Sequence, residues 1–149
     1  MRKSVFSGLF YPEEKSKLEK TIQRAFLNIK EFKNKTKAII APHAGYAYCK
    51  KQLAEAYNCL KNKKFKTAII IGPSHRHYFT GISVYDGHYY EIPTGKVHVN
   101  KKVISHLKKE NPEIKHIPKA HNQEHAIEVH LPFLKYINSN AEIVPLITG

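Results

Sequence analysis

The sequence lacks residues that several common classes of protein require. It has no tryptophan, one methionine and two cysteines, and neither Cys49 nor Cys59 belongs to a C-x-x-C motif. Two cysteines are too few for a disulfide framework or a cysteine-rich zinc cluster. No apolar run approaches the roughly 18 residues of a membrane-spanning helix. Because the residues after Met1 form no secretory h-region, the sequence predicts a cytoplasmic protein without a membrane partner.

Several catalytic motifs are also missing. The sequence contains no G-x-S-x-G elbow, no P-loop and no G-x-G-x-x-G dinucleotide fingerprint. Their absence argues against a serine hydrolase of that type and against the common nucleotide-binding folds. Ser74 stands beside His75, but adjacent side chains rarely point the same way, so we do not predict a nucleophile–base pair there.

Acidic residues are scarce, with 12 Asp and Glu against 25 Lys and Arg, and the net charge is +13. Such a balance is typical of nucleic-acid-binding proteins. However, only three of the 25 basic residues are arginines, which leaves 22 lysines. These lysines are scattered over polar helix faces and loops, and the arginine forks that usually read bases are nearly missing. We therefore predict a solvated basic surface and no nucleic-acid partner.

Apolar periodicity predicts an α/β fold with a largely parallel sheet flanked by helices. Three short apolar runs indicate buried strands, at residues 37–41, 67–71 and 142–147. Apolar positions at helical spacing predict helices at about residues 12–32, 48–61 and 123–137, with a further helix after Asn100. No interdomain linker is visible, so the sequence predicts a single domain over residues 1–149.

Two of the ten histidines, His43 and His75, directly follow predicted strands. In open α/β sheets, ligands bind beyond the carboxyl ends of the strands. We therefore expect the two imidazoles to be neighbours at one edge of the sheet, where they can hold a metal ion. A structural role for either histidine alone is the competing interpretation.

Two imidazoles do not complete a metal site. Catalytic zinc usually has three protein ligands, and a facial iron site has two histidines and a carboxylate. The candidates for a third group are His77, His121, Glu124, His125 and Glu128. Glu124 and His125 are also the candidates for a catalytic role, because they begin a predicted helix. In the alternative, Glu124 only caps that helix and His125 packs. Cys49 is either a soft-metal ligand or a small buried residue.

The same residues allow a second interpretation of the function. The histidines of a non-catalytic scaffold module would hold a peptide or an anion instead of a metal. Tyr46, Tyr48 and Ser74 are the predicted contacts for a substrate or peptide, and Tyr78 and Phe79 would extend such a surface.

Five ordered motifs resemble those of the Memo family. They are GLFYP at residues 8–12, IAPHAGY at 40–46, GPSH at 72–75, IPTG at 92–95 and EHAIEVHLPF at 124–133. Memo proteins are similar in fold to the class III extradiol, LigB-type dioxygenases, which carry a non-haem iron site. The resemblance implies an α/β sandwich, of which this chain carries the N-terminal half of the family pattern.

The resemblance also implies a metal, an activity and a partner. It identifies His43 and His75 as ligands of a divalent metal, with iron or copper favoured over zinc, and suggests redox or dioxygenase-like activity. The family's remaining ligands, a histidine and a cysteine, belong to the half of its pattern that follows these 149 residues. We therefore predict a second polypeptide that supplies the C-terminal half.

Overall fold

The computed structural model describes residues 1–30, 32 and 36–149 of the chain. Over this range the helices are α1 (Lys15–Ala25), α2 (Tyr46–Asn58), α3 (Lys101–Glu110), α4 (Pro118–Asn122) and α5 (Leu131–Ile137). A 3-10 turn, Glu128–His130, directly precedes α5. The Asn100 side chain accepts a hydrogen bond from the Val103 N–H and caps α3. None of the helices in these ranges is long and apolar enough to cross a membrane.

The strands form two small mixed sheets. They are β1 (Arg2–Lys3), β2 (Thr67–Pro73), β3 (Ile82–Val84), β4 (Tyr89–Ile92), β5 (Gly95–His98) and β6 (Glu142–Thr148). One sheet has the order β1-β4-β5 and the other the order β2-β6-β3. In each sheet one pair is parallel, β1 with β4 or β2 with β6, and the other is antiparallel. The mixed α/β class is as predicted, but the sheets are not largely parallel.

Strand β6 is the centre of the molecule. It is the middle strand of its sheet, and Ile143, Val144 and Ile147 are fully buried although they point to opposite faces. The Asn100 N–H donates to the Ile143 carbonyl, which links the end of β5 to β6. Helices α1, α2 and α5 pack together, and Phe133 of α5 contacts the rings of Tyr46 and Tyr57.

The expected strand at residues 37–41 does not form. This segment pairs with no strand in the described part of the chain, and Ile40 is fully exposed. Ile39, Ala41 and the Ala68–Ile71 part of β2 line a common cavity of about 130 Å³, so the segment lies beside β2 without pairing with it. The parallel partner of β2 is β6, and the prediction of a strand at residues 37–41 is wrong.

Two predicted helices are shorter than expected. Helix α1 ends at Ala25, and Asn28 has a left-handed φ of 62°, which ends the helical path well before residue 32. Residue 31, inside the predicted helix, is outside the described residues. The helix predicted over 123–137 is instead irregular chain, the 3-10 turn and α5. It does not begin at Gln123, because that residue is the C-cap of α4 and has a non-helical backbone, with φ −122° and ψ 33°.

One face of β2 lacks a covering layer in the described part of the chain. Ile69 is 56% exposed and Ile71 is 65% exposed, while Ile70 between them is half-buried and packs against the core. Among the described residues only β6 pairs with β2, and the other edge of β2 has no strand partner there. Exposed aliphatic side chains on an open strand are typical of an interaction surface.

Candidate metal centre

His43 lies in the loop that joins residues 37–41 to α2. Gly45 is the N-cap of α2, and the Tyr46 N–H donates to the Phe10 carbonyl at 2.7 Å. This bond ties the loop to the N-terminal segment of the chain. As a result, the position of the His43 ring is set by two distant parts of the sequence.

His75 follows β2, and its position depends on a close backbone approach. A Cβ on Gly72 would lie 2.8 Å from the Ala126 Cβ, which is too short for two carbon atoms. Only a residue without a side chain lets the end of β2 approach the Ala126 segment this closely. The loop that carries His75 therefore lies against the segment that carries His125.

His125 lies on the irregular segment between α4 and the 3-10 turn. Its ring packs against Phe6 and Phe10, with centroids 5.3 Å and 4.8 Å away. The two phenyl rings hold the imidazole from the side of the N-terminal segment.

The three imidazoles converge on one point. Ring centroids of His43 and His75 are 5.1 Å apart, and His125 lies 5.7 Å from His43 and 4.3 Å from His75. One ligand nitrogen from each ring lies within 4.8 Å of the others. Bonds of about 2.0–2.1 Å to one metal ion require nitrogens no more than about 4.2 Å apart, so these three rings are grouped at close to the spacing of a metal site.

Glu124 forms hydrogen bonds that hold His75 in this cluster. Its Oε1 lies 2.9 Å from His75 Nδ1 and accepts the Ala126 N–H at 2.9 Å, while Oε2 accepts the His75 N–H at 2.6 Å. Burial opposes ionisation, but these hydrogen bonds outweigh it and lower the pKa of Glu124. Because an ionised carboxylate only accepts, His75 carries its proton on Nδ1, and Nε2 keeps a free lone pair. Metal-binding histidines commonly have such a carboxylate partner.

The other two rings are suited to ligation as neutral bases. Burial lowers the pKa of His43, and the nearby His75 lowers it further. Burial likewise lowers the pKa of His125, although the Glu124 charge opposes it. His125 Nδ1 lies 3.3 Å from Glu124 Oε1, but it is buried without a hydrogen bond in the described part of the chain. An orphaned imidazole nitrogen beside two other histidines fits a metal site.

The remaining candidates for the third ligand have other partners. His121 is buried, with Nε2 3.0 Å from the Ser83 hydroxyl, and His77 stacks on Phe79. Cys49 is also buried, and its thiol donates to the Ala44 carbonyl. Of the two interpretations for Cys49, the contacts match a small residue at the start of α2.

The predicted contact residues divide between the core and the surface. Tyr46 does not line a contact surface, because its ring is buried and its hydroxyl donates to the Val129 carbonyl. The Ser74 hydroxyl donates to the His77 carbonyl within its own loop. Tyr48 is 84% exposed and lies beside His43.

Sequence reasoning missed a buried network behind the site. Glu128 is completely buried and accepts hydrogen bonds from the Arg2 guanidinium, the Tyr11 hydroxyl and the N–H groups of Val5 and Phe6. Arg2 also donates to the carbonyl oxygens of the residues at 121 and 124. Burial and the Glu128 charge raise the pKa of Tyr11 far above its ordinary value. Neither a basic second residue nor an acid in a helical pattern signals this pairing.

These features define a mixed α/β protein with a cluster of three histidines, backed by a buried carboxylate, as a candidate metal centre. The family model of the Memo-like proteins matches residues 2–149, and the chain belongs to the Memo family. The motif resemblance is thereby confirmed.

Relatives match over the full chain at moderate identity. A MEMO1 family protein of Thermoplasma volcanium is 33% identical over 150 residues, which cover 100% of this chain and 56% of the relative. One from Methanobrevibacter smithii is 32% identical, covering 100% of this chain and 57% of the relative. One from Aquifex aeolicus is 33% identical, covering 99% and 54%. The chain thus spans about half the length of the curated relatives it matches.

Proposed function

We propose that this chain binds a divalent metal ion through His43, His75 and His125. The observation that carries the proposal is the convergence of three imidazole nitrogens within 4.8 Å of one another. Three protein ligands leave coordination positions open, which is typical of catalytic rather than structural metal sites. Imidazole ligands suit iron, copper and zinc alike, and the family likeness favours iron or copper.

The chain's own residues prepare this site in three ways. Glu124 fixes the tautomer of His75, so that Nε2 is free toward the cluster. Burial keeps His43 and His125 neutral, and neutral imidazole is the form that binds metals. Phe6 and Phe10 pack on the His125 ring and fix its orientation. A bound iron or copper ion would supply redox or dioxygenase-like chemistry, which the fold family suggests.

Metal content and affinity test the proposal. Purified protein is titrated with Fe²⁺, Cu²⁺ and Zn²⁺, and the same titrations are made on His43→Ala, His75→Ala and His125→Ala. We expect each variant to lose more than the roughly 10–100-fold in affinity that loss of an outer partner causes. His106→Ala is the control, because His106 is exposed on α3. Equal metal occupancy in His43→Ala and the unchanged protein would overturn the assignment.

We also propose that a second polypeptide, corresponding to the rest of the relatives' length, covers the exposed face of β2. The supporting observation is the exposure of Ile69 and Ile71 on a strand with one edge unpaired in the described part of the chain. In that complex the partner would add the remaining metal ligands of the family.

Co-purification from the native source tests the partner. The tagged chain should bring down, in a 1:1 ratio, a polypeptide whose mass-spectrometric sequence belongs to the Memo family. Ile69→Lys should abolish this complex, whereas Leu27→Lys, which changes an exposed leucine after α1, should not. A chain that purifies alone as a monomer and melts cooperatively would contradict the proposal.

A further inference from the structure

A groove of about 570 Å³ opens directly beside His43 and His125. Its walls are made by Leu9, Phe10, Pro42 and Tyr48, so apolar atoms form most of the surface around two imidazoles. Small-molecule sites commonly have this size and this combination of apolar walls with a few polar groups. The groove is thus large enough for a ligand that also reaches the histidine cluster.

The groove contrasts with the rest of the molecule in charge. The chain carries a net charge of +13, yet no lysine, arginine or carboxylate lines the groove in the described part of the protein. Arg76 is exposed in the loop after β2 and lies outside the lining. Recognition of a phosphate or another polyanion uses cationic side chains or converging N–H donors. The walls therefore favour an apolar body, and the groups in them that could face a negative charge are the two imidazoles and the first-turn N–H groups of α2.

The inner wall is held in place before any ligand binds. The Phe10 carbonyl accepts the Tyr46 N–H, and the Phe10 ring contacts both Phe6 and His125. Glu128 in turn accepts the Phe6 N–H at 2.9 Å. A wall fixed by hydrogen bonds and ring contacts loses little entropy on binding.

The mouth of the groove exposes large side chains to solvent. Leu9 is 78% exposed and Tyr48 is 84% exposed, and both stand at its edge. A ligand lying in the groove would cover both side chains and gain free energy from the apolar area removed from water.

We propose that this groove binds an apolar small molecule with one coordinating headgroup, the headgroup directed at the histidine cluster and the apolar body lying between Phe10 and Tyr48. The binding of the headgroup to the histidine cluster rests on the proposed metal site. The binding of the apolar body depends only on the apolar walls of the groove. The two halves make separate predictions, so the experiment distinguishes them.

A pair of hydroxamates that differ only in chain length tests the ligand class. Octanohydroxamate and acetohydroxamate share one headgroup, so their affinity ratio reports burial of the chain alone. Each buried methylene is expected to tighten binding by about fourfold, so burial of about three of the additional methylenes gives a ratio of roughly 60. The ratio should be about the same in metal-free protein, where both affinities are weaker. Loss of metal binding would then overturn the proposed function without affecting this ratio.

Matched leucine variants locate the effect. Leu9→Lys should reduce octanohydroxamate affinity at least about tenfold by placing a charge at the mouth, and leave acetohydroxamate unchanged. Leu27→Lys, the same change at another exposed leucine, should alter neither affinity. Because both leucines are exposed, neither change should unfold the protein, and a thermal melt checks this.

Three results would overturn the inference. One is an affinity ratio near one in metal-loaded and metal-free protein. Another is tighter binding of phenyl phosphate than of octanohydroxamate, with its loss in Arg76→Ala, which would identify an anion site. The third is a ratio that falls to one in a complex with a second polypeptide, which would mean that a protein segment occupies the groove.

Discussion

The buried carboxylate of Glu124 holds the imidazole of His75, with Oε1 2.9 Å from Nδ1. The same carboxylate accepts two backbone N–H groups, so three donors face its two oxygens. In Glu124→Gln, an amide NH₂ would oppose at least one of these donors and the His75 ring would lose its ionised carboxylate partner. We expect metal affinity to fall about 10–100-fold, as measured by metal titration.

The exposed Glu113→Gln serves as the control for this change, because it removes one negative charge far from any hydrogen bond to a histidine. Unaltered affinity in Glu124→Gln would mean that the carboxylate has a structural role only.

The ion pair between Arg2 and Glu128 should dominate the stability of the N-terminal segment. The two side chains are 5% and 0% exposed and lie 2.7 Å apart. Glu128→Gln leaves the Arg2 charge buried without its partner, and such changes cost about 3–5 kcal/mol. Urea unfolding should record this loss, whereas Glu19→Gln, which breaks an exposed pair with Lys15, should cost less than about 1 kcal/mol.

Adding Arg2→Met to Glu128→Gln should recover part of the lost stability, since no charge then remains unpaired in the interior. If the double variant is instead less stable than either single variant, the loss comes from packing and hydrogen bonds, and the charge explanation is wrong.

Acid should destabilise the fold through His121 and His130. Burial lowers the pKa of His121 from 6.5 to about 3 and that of His130 from 6.5 to about 4. Below about pH 6.5 the unfolded chain binds protons that the folded chain refuses, so unfolding is favoured as pH falls toward 4. Above pH 6.5 the contribution of both groups is fully present. The two histidines together give a slope of at most about 2.7 kcal/mol per pH unit.

Urea unfolding between pH 7.5 and 4.5 measures this slope. His130→Gln should reduce this slope by the contribution of one proton, which is at most about 1.4 kcal/mol per pH unit. His106→Gln, at an exposed position, should leave the slope unchanged. A stability that stays constant over this range would show that neither imidazole is buried neutral.

Gly72 sets the distance between the loop of His75 and the segment of His125. In Gly72→Ala the new methyl group would meet the Ala126 Cβ at 2.8 Å. Relief of this clash should cost about 1–3 kcal/mol and weaken metal binding by separating the two rings. Adding Ala126→Gly removes the opposing methyl and should restore much of the metal affinity. Failure of the double variant to recover would place the defect elsewhere in β2.

The sequence predicted that His43 and His75 are neighbours, although one premise of that prediction was wrong. The structure brings the rings to 5.1 Å, yet the strand expected before His43 is absent. The loop is positioned instead by the hydrogen bond from the Tyr46 N–H to the Phe10 carbonyl. An apolar run indicates a buried strand only when a neighbouring strand pairs with it, and β2 pairs with β6.

The sequence identified Glu124 and His125 as candidate functional residues, but it did not assign a role to either of them. Helical spacing over 123–137 predicted a continuous helix, at whose start Glu124 was either a functional group or a helix cap. In the structure its carboxylate bonds His75, which is 49 positions away, as well as the nearby Ala126 N–H. Periodicity describes which side chains face the core, whereas such long-range hydrogen bonds depend on how distant segments meet.

Strand β6 has a consequence for how the molecule assembles. It lies between β2 and β3, yet it follows both in the sequence, and its pairing with β2 joins residues about 75 positions apart. Growth by successive hairpins cannot build this sheet, and the ribosome must release almost the whole described chain before the central strand can dock. We expect the nascent polypeptide to depend on chaperones until then, and refolding in vitro to be slow for a domain of this size.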